Sequence, residues 1–167
     1  MRVPALLVVF AVLLTPPLFH AQQAPPDSAN NNVTCDFDDE KQIGVQYAHA
    51  TVNDKPPYGK VWSPGNTPML LFTQAELTVA NVSIPVGAYS MFVIPGKNSW
   101  TLVVNKNVTP GSKYDETQDL VRAPMETGQL SNPESEFSVI FGHIAPKQCS
   151  IRFYYGKTGT WTEFMEK

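Results

Sequence analysis

From about position 33 onward, apolar residues recur at every second position in short runs. No segment sustains the three-four spacing of a long helix, so the chain reads as antiparallel β structure. Val33, Cys35 and Phe37 alternate with polar neighbours, as do Ile43, Val45 and Tyr47, and Asp38-Asp39-Glu40 is the turn expected between them. Met69 to Phe72 opens another extended segment. Leu77 and Val79 then alternate before a hairpin at Ala80-Asn81, answered by Val82 and Ile84. The strongest local signal is Ala88 to Ile94, punctuated by Pro95-Gly96-Lys97-Asn98 and answered by Trp100 to Val104. Two β runs joined by Pro, Gly and Asn make a hairpin, and its continuous apolar middle predicts central strands covered on both faces.

Val108 to Gln129 breaks this rhythm with Pro110-Gly111, Tyr114-Asp115-Glu116 and Asp119-Leu120, and is expected to be a long excursion holding a helical turn. Phe137 to Phe141 and Ser150 to Tyr155 resume the sheet. Trp161 to Phe164 is expected as a last edge strand after a turn at Lys157-Thr158-Gly159. The fold class is therefore all-β, an antiparallel β-sandwich or partly open barrel with one long loop excursion. Residues 33–167 suffice for one core and are too few for two.

What precedes that domain places it outside the cytoplasm. Residues 1–21 carry Arg2, a short apolar run to Leu14 and small Ala21, the layout of a signal peptide, with Ala24 as the alternative cut. A retained anchor is the other reading, although the run is at the short end of what spans a bilayer. Residues 22–32 have almost nothing to bury and form a flexible linker. Two distant cysteines in an exported chain predict a disulfide between Cys35 and Cys149, on early and late strands that would lie side by side. No Cys-x-x-Cys points instead to a redox or metal centre.

Acidic residues outnumber basic ones, 15 to 12, which gives no attraction to phosphate backbones, so no nucleic-acid partner is expected. His49 and His143 show no metal-ligand spacing, and Ser90 lacks the Gly-x-Ser-x-Gly setting that exposes a nucleophile. The runs at Asp38-Glu40 and Asp115-Asp119 do not match a calcium loop and read as solvated turns. No cofactor and no metal site is expected.

The most site-like stretch is Pro56 to Asn66, where Pro and Gly shape a loop around aromatic residues. Tyr58, Trp62 and Asn66, with His49 just upstream, are the ligand-binding candidates. The competing reading is that Tyr58 and Trp62 plug one end of the β core.

Pro57-Tyr58-Gly59-Lys60-Val61-Trp62, then Gly65-Asn66, Ile84 to Gly96, Trp100 to Lys106, Tyr114-Asp115 and Asp119-Leu120-Val121-Arg122 together resemble the exported bacterial family called domain of unknown function 2911. The resemblance covers nearly all of the domain and implies a secreted or periplasmic β-rich protein, with no mechanism attached. The chain departs from that family's pattern at Tyr47 to Lys55, where an Arg- and Gly-rich stretch is usual. It departs again at Ser63 to Pro68, where an Arg and then Gly-Ala-Asn-Glu-Ala-Thr are common. Any ion pair those residues formed is lost or replaced here. Asn-x-Ser/Thr sequons at Asn32, Asn81 and Asn107 would be glycan acceptors in a eukaryotic secretory route, whereas the resemblance points to bacteria.

The expected role is a secreted or periplasmic, non-catalytic binding or envelope-associated domain. Its partner would be a small molecule, a glycan or an envelope component, with no integral membrane segment after signal removal. The alternative is a secreted hydrolase or metal-dependent enzyme using His49 or His143 with nearby carboxylates.

Overall fold

A computed structural model describes residues 30–52 and 55–167. The expected signal peptide, and the expected linker up to residue 29, lie outside the described residues. The strands are β1 (Asn30–Asp36), β2 (Gln42–Ala48), β3 (Met69–Thr73), β4 (Leu77–Val79), β5 (Val82–Ile84), β6 (Gly87–Ile94), β7 (Trp100–Asn105), β8 (Asp119–Ala145) and β9 (Gln148–Glu166). They form one antiparallel sheet in the order β1-β2-β3-β6-β7-β8-β9-β4-β5, not closed into a barrel.

Period-two alternation decides which side of each strand is buried. Ile43, Val45 and Tyr47 of β2, Met69 and Leu71 of β3, and Trp100, Leu102 and Val104 of β7 all turn inward. The sheet bends at β8. Its first residues pair with β7, from Val104↔Val121 to Trp100↔Met125, and from Glu126 onward it pairs with β9. Because of that change of partner, Ile151, Phe153 and Phe164 of β9 and Leu77 of β4 join the same core cluster as β2, β3 and β7. Tyr47 meets Phe137 edge-on at 5.5 Å within it. Ala50–Val52 straps the open side: the Phe137 N–H donates to the Ala50 carbonyl and the Val52 N–H to the Ser135 carbonyl, each at 2.8 Å.

Several expected boundaries move. Asn30–Asn32, read as linker, belong to β1; they bury nothing, so only pairing with Gln46–Ala48 reveals them as strand. The excursion ends at Asp119 instead of continuing to Gln129, because Val121, Ala123 and Met125 alternate inward despite Pro124 between them. No turn interrupts 157–159. Gly156, at φ 59°, takes up a register shift and β9 runs on. Trp161–Phe164 is consequently interior to the sheet, and the edges are β1 and β5. Cys35 and Cys149 are bonded, with Cα atoms 6.3 Å apart, but β1 and β9 are not neighbours in the sheet, so the bond ties its first strand to a strand near its far end.

The Ala80–Asn81 hairpin forms where expected, with positive φ at both residues (46° and 63°). That is the handedness a two-residue turn needs to match strand twist.

Candidate functional site

The structure distributes the sequence-predicted residues around one end of the sheet. Trp62 pairs with Val93 through two backbone hydrogen bonds (2.8 and 3.0 Å), and its ring meets Tyr155 at 5.0 Å and Trp100 at 6.1 Å, both edge-on. It thus packs onto the end of the core. Tyr58 is 47% exposed, beside Gly59, whose N–H donates to the Pro95 carbonyl at 2.8 Å. Asn66 is exposed, at φ 58°, and its N–H closes a turn onto the Ser63 carbonyl. Gly65 before it, at φ 74°, lies so close to β2 that a Cβ would stand 3.0 Å from the His49 carbonyl and 3.1 Å from the Ala48 Cβ. Glycine is required there on both counts. His49 itself is half exposed, with Nδ1 3.8 Å from Glu136. The loop's continuation, Thr67–Pro68, reaches a pocket that Tyr58, Trp62, Asn66 and His49 do not line.

That pocket forms on the outer face of β6 and β7. Ser90 and Phe92 on β6 stand opposite Asn105 and Val103 on β7, all pointing away from the core, and all are nevertheless buried. The cover is the excursion 106–118. Tyr114 lays its ring edge-on against Phe92 at 5.0 Å, and the Ser90 hydroxyl donates to the Asn107 carbonyl at 2.7 Å. Between cover and sheet remains a cavity of about 190 Å3, walled by Leu70, Phe92, Val108 and Tyr114 with Ser90 and Asn105 at its base.

One polar network holds the cover down. The Asp119 Oδ2 accepts from the Tyr114 hydroxyl at 2.6 Å and from Arg122 Nε at 2.7 Å, while its Oδ1 accepts from Asn105 Nδ2 at 2.8 Å. Asn105 also donates to the Asp115 carbonyl, and its Oδ1 accepts the Asn107 N–H. Arg122 Nη2 donates to the Tyr114 oxygen as well, at 2.7 Å. Since Asn105 is only 1% exposed, these bonds satisfy a side chain that water does not reach.

Burial, and then the bond to Asp119, push the Tyr114 hydroxyl up to about 12 from its ordinary 10.0. The folded state thus favours the neutral phenol. The stability this contributes is complete below about pH 10 and is lost as pH rises through about 12. Wild-type protein is expected to lose urea resistance across that window more steeply than Tyr114→Phe, whose phenyl ring does not titrate. Equal slopes for the two proteins in denaturant melts would contradict this assignment.

The histidines stay apart from the pocket and from each other's partners: His49 faces Glu136, and His143 Nε2 lies 3.5 Å from Asp38. Among the described residues, no three His, Cys, Asp or Glu side chains gather as a metal-binding group. No helix among them is long and apolar enough to cross a membrane.

Sequence reading missed Ser90, Asn105 and Asp119 as pocket builders. The available signal was weak: polar residues at outward positions of strands whose neighbours, Phe92 and Val103, are apolar on that same face.

Fold and disulfide define an all-β protein built on one bent antiparallel sheet and tied between its early and late strands. The chain belongs to the family described as Protein of unknown function (DUF2911), whose profile matches residues 28–163. No curated protein and no solved structure matches it significantly.

Proposed function

We propose that the protein is an exported, non-catalytic binding domain that takes a small ligand into the pocket beneath the 106–118 excursion. The observation that carries this reading is the pocket's construction. A sheet face that would otherwise be solvated is roofed, yet a cavity is left between the aromatic walls Phe92 and Tyr114 and the buried polar groups of Ser90 and Asn105. Concave, mainly apolar sites with a few fixed polar groups are what small-molecule recognition uses. At about 190 Å3 the cavity is smaller than pockets for drug-sized molecules, so the ligand is the size of a single sugar, an amino acid or a small aromatic acid.

Export is supported by the leader-like residues 1–21 and by the Cys35–Cys149 bond, which persists in oxidising compartments. The non-catalytic reading is supported by the separate, exposed settings of His49 and His143, neither of which reaches the pocket.

A thermal-shift panel of monosaccharides, amino acids and small aromatic acids tests it. At least one compound is expected to raise the melting temperature, by the equivalent of about 2.7 kcal/mol at a hundredfold excess over its Kd. Phe92→Leu, which keeps the site apolar but removes the aromatic wall, is expected to weaken that shift. A silent panel, or a shift indifferent to Phe92→Leu, would overturn the assignment. The mature chain recovered from the native host is expected to begin at Gln22.

A further inference from the structure

We propose that the outer face of β1, β2 and β3 is a second binding surface, independent of the lidded pocket, and that its ligand is an uncharged glycan chain. Alternation sends Cys35, Ile43, Val45 and Leu71 of these strands inward and leaves an outer face that has, among the described residues, no cover like the excursion. Register arranges that face in rows: Asn32 beside Gln46, Thr34 beside Gly44 beside Phe72, and Gln42 next to Gln74. Successive rows are about 7 Å apart, two residues along a strand. The result is an open trough of about 460 Å3 with Gly44 at its floor.

Glycine in a strand commonly has its gap filled by a ring from the neighbouring strand. This sheet does that elsewhere: a Cβ on Gly128 of β8 would meet the Trp161 ring of β9 at 3.3 Å, and one on Gly159 would meet the Tyr154 ring of its own strand at 3.2 Å. At Gly44 the neighbour is a methyl group and not a ring. A Cβ there would meet only the Thr34 methyl (3.2 Å) and the Val33 carbonyl (3.5 Å) within 4 Å, so the Phe72 ring opposite does not lie over it. Phe72 instead stands 44% exposed on the wall of the trough. The Phe72 ring is thus left free of the packing that rings give to glycine elsewhere in this sheet.

The chemistry of the walls selects the ligand. Asn32, Thr34, Gln42, Gln46 and Gln74 ionise at no pH, and the charge beside them is the Asp36 carboxylate, paired with Gln42 and unfavourable to an anionic ligand. Amides offer donor and acceptor together, which suits vicinal hydroxyls, and an aromatic face packs against the C–H face of a sugar ring. A nucleic acid would need cations, and a lipid surface would need a broad apolar patch. Two of the amides are already oriented: Gln42 Nε2 donates to Asp36 Oδ1 at 2.8 Å, and Gln74 Oε1 accepts the Gln42 N–H at 3.0 Å. Less ordering therefore remains for the ligand to impose.

The test is an amide-resolved NMR titration of the full domain with cellohexaose, maltohexaose, laminarihexaose and chitohexaose, with hexagalacturonate as the anionic control. At least one neutral hexasaccharide is expected to shift the amides of residues 32–34, 42–46 and 72–74, and the control is expected not to. Phe72→Ala is expected to weaken binding at least about tenfold with an unchanged melting temperature. Gly44→Thr, a residue that strands favour, pushes the Thr34 methyl aside, since its Cβ stands 3.2 Å from it, and is expected to raise the floor and abolish binding while the spectrum stays folded. The proposal falls if no neutral oligomer shifts these amides, if hexagalacturonate binds as well, or if both variants bind like wild type. It also falls if the shifts map to residues 105–114 instead, an outcome that would leave the lidded pocket standing.

Discussion

Replacing Cys35 and Cys149 together by alanine is expected to lower the unfolding free energy by about 4 kcal/mol and the melting temperature by roughly 10–15 °C. The estimate rests on the length of chain the bond closes: 114 residues separate the two cysteines. Everything from β2 to β8 lies between them, so the unfolded chain loses a large loop's freedom, and loops of this size correspond to about 4 to 5 kcal/mol. Alanine is the right replacement because both sulfurs are buried, and serine would strand hydroxyls in the core. What remains to hold the two ends together is modest. The Asp38 N–H donates to the Pro146 carbonyl at 3.0 Å, joining the β1–β2 turn to the β8–β9 turn, and Lys41 pairs with the nearly buried Glu166 at 2.9 Å. Hydrogen exchange should therefore show edge strand β1 losing protection before β6 and β7. A change under about 1 kcal/mol in denaturant melts would mean that the unfolded chain keeps its ends together without the bond.

How far such features could be read beforehand depended on whether their cause was local. The β6–β7 hairpin was legible because an unbroken apolar run and Pro95-Gly96 are local signals. The structure supplies the reason for the run: Met91 and Leu102 face the core while Phe92 and Val103 face the excursion. The start of β8 was not legible, since Pro124 and Gly128 resemble loop residues until Trp100↔Met125 pairing shows them on a strand. The bend of the sheet at Glu126 has no local signature either; it follows from a change of partner strand.

The same division applies to the sites. Trp62 was visible as an aromatic in a Pro- and Gly-rich loop, and its plug position follows from contacts with Trp100 and Tyr155, residues far along the chain. Thr34, Gln42 and Gln46 could be read as outward by alternation, whereas Asn32 fell in the expected linker. Their junction with Phe72 needed the β2–β3 register, Gly44↔Phe72. For the pocket, Tyr114, Asp119 and Arg122 stood out through family resemblance, and Asp119 also as part of an acidic run read as a solvated turn, which its 11% exposure does not bear out. Their shared role depends on Asn105, which comes from a different strand.

Asp119→Ala is the substitution expected to open the pocket. It removes the acceptor for three donors at once: the Tyr114 hydroxyl, Arg122 Nε and Asn105 Nδ2. The carboxylate is only 11% exposed, so water does not readily take its place. Hydrogen bonds to a charged group are worth about 1.5–3 kcal/mol, and bonds within one network are not additive, so a total loss of about 2–4 kcal/mol is expected. That loss falls on the cover first. Asn105 keeps the Asp115 carbonyl as a partner, and the sheet core beneath, from Met91 to Val104, shares none of the broken bonds. Amides of residues 107–118 should therefore exchange much faster while those of β6 and β7 stay protected, and any ligand-induced thermal shift at the pocket should vanish. Glu116→Gln is the control, because Glu116 is 74% exposed and only 3.4 Å from Arg122, and it should leave both readouts unchanged. If instead Asp119→Ala lowered global stability with the excursion still as protected as the strands, packing of Tyr114 on Phe92 would be sufficient to hold the cover. The carboxylate would then serve the sheet and not the pocket.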